Sequence, residues 1–214
     1  MKIRFSAGKI RSRIQEYRDW QSYWRWLRAG KPIPPPEVVK QMTVREYGRK
    51  FGIRTFVETG TYLGCMVGAV RSDFERIYSI ELSEQLYQDA TRKFYGDERI
   101  VIMQGDSGTV LPALLEDIDE PCLFWLDAHY SAGVTARGEK ETPIVKELSC
   151  ILDHEVKGHV MLIDDARHFT GEDDYPAMQE LRDFVSERCG KYVFEVREDI
   201  IRLHDISHGP VPCE

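Results

Sequence analysis

A chain of 214 residues, 42% of them hydrophobic, is long enough for one sizeable α/β domain with additions and can bury a real core. No apolar run approaches the ~18 residues that cross a bilayer, and Arg and Lys recur where a signal peptide would need an apolar stretch, so a cytoplasmic protein is expected. Cys65, Cys122, Cys150, Cys189 and Cys213 are odd in number and far apart, with no C-x-x-C, which excludes a disulfide or zinc framework and reads as reduced thiols.

The net charge of −7 is unevenly spread: residues 1–31 carry nine Lys/Arg against Glu16 and Asp19, which leaves −14 on the remainder. An acidic body argues against a broad nucleic-acid-binding face, and no DNA partner is expected. Within the basic segment, Ile10, Ile14, Tyr17, Trp24 and Leu27 recur at helical spacing with Trp20 and Tyr23 beside them, while Arg11, Arg18, Arg25 and Arg28 lie largely off that stripe. The aromatic face can pack on the domain or on a second subunit, giving a homodimer. It can also meet a membrane interface, with Trp at headgroup level and Arg on lipid phosphate, or touch nucleic acid. The run PIPPP at 32–36 is a stiff connector, so residues 1–36 read as an arm with its linker and 37–214 as the main domain.

An approach helix is predicted over 37–51. Strands then alternate with helices: strands at about 54–58, 76–81, 99–103, 121–127 and 159–164, and helices at about 63–72, 83–95, 107–116, 142–154 and 176–188. Alternation of this kind makes a doubly wound, mostly parallel sheet with helices on both faces. The closing stretches 191–196 and 199–204 are too near each other for a crossover, so they form a hairpin and one strand runs antiparallel.

Residues 55–64, TFVETGTYLG, carry the first chemical signal. A short apolar strand delivers Glu58 to its carboxyl end. Gly60 then opens a tight turn, and Gly64 lets the next helix pack closely. Glu81 ends the second strand 21 residues after Gly60, about where a carboxylate meets a ribose diol in nucleoside-binding α/β units; the alternative is a helix-start acid, since Ser83 caps the next helix. After the third strand comes Gly105-Asp106-Ser107, where Asp106 can accept from an exocyclic amine and Ser107 can cap a helix. Strands four and five end in Asp127 and in Asp164-Asp165. Carboxylates this close need neutralising, which a divalent ion such as Mg²⁺ would do; otherwise one acid caps a helix and another pairs with Arg167. His129 and His168 follow these acids and are candidate bases. The polar segment 130–142 reads as a lid or substrate loop.

Together these residues resemble the class I S-adenosylmethionine-dependent methyltransferases over roughly 50–204. The resemblance implies a seven-stranded sheet of order 3-2-1-4-5-7-6. It also implies a cofactor site built from Glu58, Gly60, Thr61, Tyr62, Gly64, Glu81, Leu82, Gly105, Asp106, Ser107 and Asp127. Asp127 with Asp164 and Asp165 further resembles the metal-dependent O-methyltransferases of sugars and other small molecules. That likeness implies Mg²⁺ at these acids, a hydroxylated small-molecule acceptor, and His129 or Asp127 as the base. Thr61 stands where many members have a second glycine, and Ala-His-Tyr follows Asp127 in place of a glycine-acid pattern. The rival readings are an NAD-dependent oxidoreductase, against which the missing G-x-G-x-x-G stands, and a non-enzymatic module that docks through its basic arm.

Overall fold

A computed structural model describes residues 7–127, 143–172 and 174–206. In chain order the elements are α1 (Ala7–Arg28), α2 (Glu37–Lys50), β1 (Thr55–Thr59), α3 (Cys65–Val70), β2 (Arg76–Glu81), α4 (Glu84–Lys93), β3 (Ile100–Gln104) and α5 (Ser107–Leu115), followed by β4 (Cys122–Leu126), α6 (Ile144–Asp153), β5 (Val160–Ile163), α7 (Met178–Arg188), β6 (Tyr192–Arg197) and β7 (Ile200–Asp205). The sheet has the order β3-β2-β1-β4-β5-β7-β6. Neighbours from β3 to β5 pair in parallel, and β7 runs antiparallel to both β5 and β6. The expected topology is therefore present, hairpin included. Glu198 and Asp199 form the hairpin turn with φ of 55° and 62°, the paired positive angles that match the twist of two adjacent strands.

Strand alternation divides the core. Phe56, Ile77, Leu123, Trp125, Val160 and Leu162 point to one face, under α2 and α3, where they join Val44, Tyr47, Val67 and Val70. Val57, Ile80, Phe124, Met161 and Ile163 point to the other and meet Leu111, Leu148, Ile151 and Leu181 of α5, α6 and α7. Because side chains on one face recur every second residue, extending the first set past the strand ends brings Glu58, Glu81, Asp127 and Asp164 to the α2 side. One parity rule gathers the acids.

Helix α3 is shorter than the expected 63–72. Tyr62 and Gly64 take φ of 47° and 62°, so the chain is still turning there and the helix starts only at Cys65, with Gly64 at its N-cap. The aromatic stripe of α1 also departs from one expectation. Tyr17, Trp20 and Trp24 are 65%, 55% and 53% exposed and do not pack on the domain. Trp26, about half a turn round the helix, is the buried one, and its Nε1–H donates to the Pro32 carbonyl at 2.8 Å. Lys31 pairs with Glu198 at 2.8 Å and holds the end of this segment against the hairpin. No helix among the described residues is long and apolar enough to cross a membrane.

Candidate active site

The strand order reverses between β1 and β4, which opens a crevice at their carboxyl ends. On one side of it lies the turn after β1. Gly60, at φ 88°, and Thr61 both donate their N–H groups to the Ile80 carbonyl, at 2.9 and 3.2 Å. The Lys93 ammonium closes the turn by donating to the carbonyls of Leu63 and Gly64 at 2.7 and 2.9 Å. A Cβ at Gly64 would lie 2.7 Å from the Phe94 ring, which is the close packing a glycine there allows.

Glu81, 5% exposed, accepts the N–H of Tyr62 at 2.7 Å on one carboxylate oxygen and that of Ser83 at 2.9 Å on the other. Those bonds fix the carboxylate's plane and join the β1 turn to the end of β2. Both oxygens keep further acceptor capacity. Ser83 caps α4, as its position predicts, accepting the Leu86 N–H at 3.4 Å. Leu82 is half-buried and its carbonyl accepts from Gln104 at 3.3 Å. Beyond the turn, Tyr62 and Leu63 are half exposed and flank the crevice.

Glu58 lies beneath this turn rather than on its surface. It is 2% exposed and accepts the Ser79 hydroxyl, which lies 2.6 Å from that of Thr61. Thr61, in place of a second glycine, thus joins a hydroxyl relay that braces the turn. Burial pushes the Glu58 carboxyl up to about 8, against the Ser79 hydrogen bond that favours its ionised form. At the third strand's end, Gly105 takes φ 145° and a Cβ there would meet Val110 at 2.6 Å. Asp106, not Ser107, occupies the N-cap position of α5, and its side chain makes no capping bond, so the carboxylate is available to a ligand. Ser107 is instead buried beside Glu147 of α6.

Glu147 is a buried acid close to the crevice that strand-end reasoning does not reach. It is 1% exposed, and burial raises its carboxyl to about 7, while the hydroxyls of Ser107 and Thr59 oppose the shift. The signal was its place on the apolar face of α6, between Ile144, Leu148 and Ile151 at helical spacing. Glu58, Glu147 and Asp164, the last raised to about 8 by burial and the neighbouring Asp127 against the pull of Lys40, have folded pKa values above their ordinary ones and remove stability as pH rises, because the unfolded chain ionises first. His159, lowered to about 4 by burial, acts with the opposite sign but only below 6.5. The melting temperature should therefore fall between pH 6.5 and 8, and Glu58→Gln should reduce that slope in thermal melts.

On the other side of the crevice, Asp127 donates its N–H to the Thr59 carbonyl at 3.1 Å and Asp164 donates to Leu126 at 3.1 Å. The carboxylates of Asp127, Asp164 and Asp165 offer oxygens that all lie within 4.8 Å of one another. These expected ligands are thus brought together, yet the same space holds the ammonium of Lys40, a second residue that sequence reading missed. Lys40 Nζ donates to Asp164 and lies 3.7 Å from Asp165. Burial alone would lower its pKa, but Asp164, Asp127 and Asp165 hold it above the ordinary lysine range. Its signal was equally plain: Lys40 shares with Thr43, Val44 and Tyr47 the buried face of α2. Asp165 also pairs with Arg167 at 2.8 Å, one of the alternatives to a metal ligand. His168 is half exposed, 3.9 Å from Asp165. His129 and the 130–142 loop lie outside the described residues.

No protein-family model and no curated protein matches the sequence. Solved structures do match in fold. The O-methyltransferase TomG from Streptomyces achromogenes, in complex with S-adenosylmethionine, superposes with a TM-score of 0.58 at 15% identity, over 87% of this chain and 88% of that one. An O-methyltransferase from Bacillus cereus, in complex with the demethylated product, gives 0.57 at 14% identity over 87% and 90%. The 23S rRNA methyltransferase ErmE gives 0.51 at 14% identity over 81% and 70%. The fold is that of the class I methyltransferases. Within it, the Gly60 turn, Glu81 and Asp106 occupy the ends of β1, β2 and β3 on one side of the crevice, and the acids with Lys40 occupy the ends of β4 and β5 on the other.

Proposed function

We propose that the chain is an S-adenosylmethionine-dependent methyltransferase that acts on a hydroxyl of a small molecule, such as a sugar. The observation that carries this reading is Glu81: a buried carboxylate, oriented by two backbone N–H groups at the end of β2 and joined to the glycine turn of β1. A carboxylate so held accepts from both hydroxyls of a ribose diol and would repel a 2′-phosphate. The residues fit the cofactor on chemistry as well as position. Asp106 offers an acceptor to an adenine amine, the Gly60 turn leaves room for the methionine portion, and Tyr62 and Leu63 give apolar cover.

When bound, the cofactor supplies an electrophilic methyl carbon on a sulfonium. An acceptor hydroxyl that took this methyl group, the sulfur leaving as a thioether, would give its proton to a base on the protein. Asp127, at the end of β4 across the crevice from Glu81, is one candidate for that base, and His129 is the other by sequence. Alignment of oxygen, methyl and sulfur is where the rigid strand ends contribute most. The fold-level likeness to TomG and the Bacillus cereus enzyme supports oxygen as the acceptor, whereas ErmE shows that the fold also serves RNA.

The test is transfer of labelled methyl from S-adenosylmethionine to a panel of hydroxylated sugars and phenols, with total RNA as a parallel acceptor. Label on a small hydroxylated acceptor, with stoichiometric S-adenosylhomocysteine, is the expected result. Label on RNA alone would overturn the choice of acceptor.

A further inference from the structure

The acidic centre at the ends of β4 and β5 has the composition of a divalent-cation site, but the residues around it do not fit one. Lys40 enters from α2, is 9% exposed, and places its ammonium on Asp164 with Asp165 at 3.7 Å and Asp127 close by. Arg167 brings a second positive charge to Asp165, at 2.8 Å, and is tied in turn to Asp199. The two cations offset part of the charge here, the guanidinium being shared between Asp165 and Asp199, and the ammonium occupies the space between the carboxylates. A dication placed among them would sit against the Lys40 ammonium, with Asp164 already engaged. It could enter only if Lys40 withdrew, and withdrawal would strip a buried carboxylate of its partner.

We propose that Lys40 is the resident cation of the Asp127–Asp164–Asp165 centre, closing it to divalent ions and presenting an ammonium to the incoming acceptor oxygen. The acceptor part of this assignment rests on the methyltransferase reading; the cation part does not. An ammonium has three N–H groups, and Asp164 takes one of them. A remaining N–H can donate to a hydroxyl oxygen and orient its lone pair, while a neighbouring carboxylate accepts the hydroxyl proton. Helix α2 thereby contributes a positioning residue to a site otherwise built from strand ends.

The experiment is calorimetric titration of Mn²⁺ into the chelator-treated full chain and into Lys40→Met and Lys40→Gln, with the free ion followed by its paramagnetic resonance. The wild type should show no saturable binding up to millimolar Mn²⁺. Lys40→Met, which uncovers the carboxylates, should gain a single site at least ~10-fold tighter, and Lys40→Met combined with Asp164→Asn should lose it again. Micromolar Mn²⁺ binding to the wild type would overturn the proposal, and so would Lys40→Met and Lys40→Gln that fold but gain no site. If neither variant folds, the wild-type titration alone decides. S-adenosylmethionine is titrated into the same wild-type preparation: if it does not bind, the methyltransferase reading fails, while the Mn²⁺ result still judges the cation assignment.

Discussion

Replacing Glu81 by alanine should cost at least about two orders of magnitude in affinity for S-adenosylmethionine. Each ribose hydroxyl donates to a charged acceptor, a bond of about 1.5–3 kcal/mol, and ~1.4 kcal/mol is a tenfold change in binding. The loss should exceed that of the two bonds alone, because the same carboxylate receives the N–H groups of Tyr62 and Ser83. Without it the turn after β1 and the start of α4 lose a common anchor. Glu81→Gln separates the contributions. An amide keeps an acceptor for one ligand hydroxyl but loses the charge, so its affinity should fall between those of the wild type and Glu81→Ala. Calorimetry with S-adenosylmethionine and its demethylated product measures all three, and a melting curve for each variant confirms that the protein compared is folded. Equal affinity in the wild type and in Glu81→Ala would remove Glu81 from the cofactor site.

The largest expected stability effect lies under α2 and α3. Phe56 is fully buried in β1, between Ile77 of β2 and Leu123 of β4, and it stacks on Phe74 with ring centroids 5.2 Å apart. Phe56→Ala should cost about 3–5 kcal/mol, the lost transfer energy plus the cavity left in a packed interior. That is a large part of the ~5–15 kcal/mol that keeps a domain folded. Val101, on the edge strand β3 and 44% exposed, provides the contrast, and Val101→Ala should cost well under half as much. Urea unfolding of both variants checks the pair. A small effect at Phe56 would mean that the α2 face of the sheet is not packed as described.

Much of this architecture is legible in the sequence because local and global signals agree. The strand ending in Glu58 and the one ending in Glu81 are short apolar runs followed by turn residues, and the closeness of the last two strands forces a hairpin. The parity of Phe56 and Glu58, of Ile77 and Glu81, and of Trp125 and Asp127 places acids on one face by strand geometry alone. What escaped the reading has a common physical origin. Lys40 and Glu147 are charged residues on the buried faces of helices far from the strand ends in sequence, where no strand-end pattern marks them. Each interrupts an apolar stripe at helical spacing, and a buried charge in such a stripe requires a partner. Searching for that partner among the strand-end acids would have led to Lys40. Serine favours the cap role, but the N-cap position lies one residue earlier, at Asp106, and Ser107, the first residue of the helix, is buried beside Glu147. The stripe of Tyr17, Trp20 and Trp24 was read from periodicity, which identifies a face but not what covers it.

On the proposed reading, the two acidic rows divide the work of one sheet. Glu58 and Glu81 stand on the β2 side of β1, where one braces the turn from below and the other faces the crevice. Asp127 and Asp164 stand across the crevice and share their charge with a lysine from outside the sheet. In the proposed reading a nucleoside is bound by Glu81, with Glu58 bracing the turn beneath it, and an oxygen nucleophile by Asp127 and Lys40, with the transferred group between them. This division of labour depends first on the cofactor.

The measurement that tests it most directly is calorimetric titration of S-adenosylmethionine into the full chain, with NAD titrated in parallel. The account predicts saturable one-to-one binding of S-adenosylmethionine and of S-adenosylhomocysteine, and no binding of NAD. Folded protein that binds neither sulfur compound, or that binds NAD in their place, would contradict it.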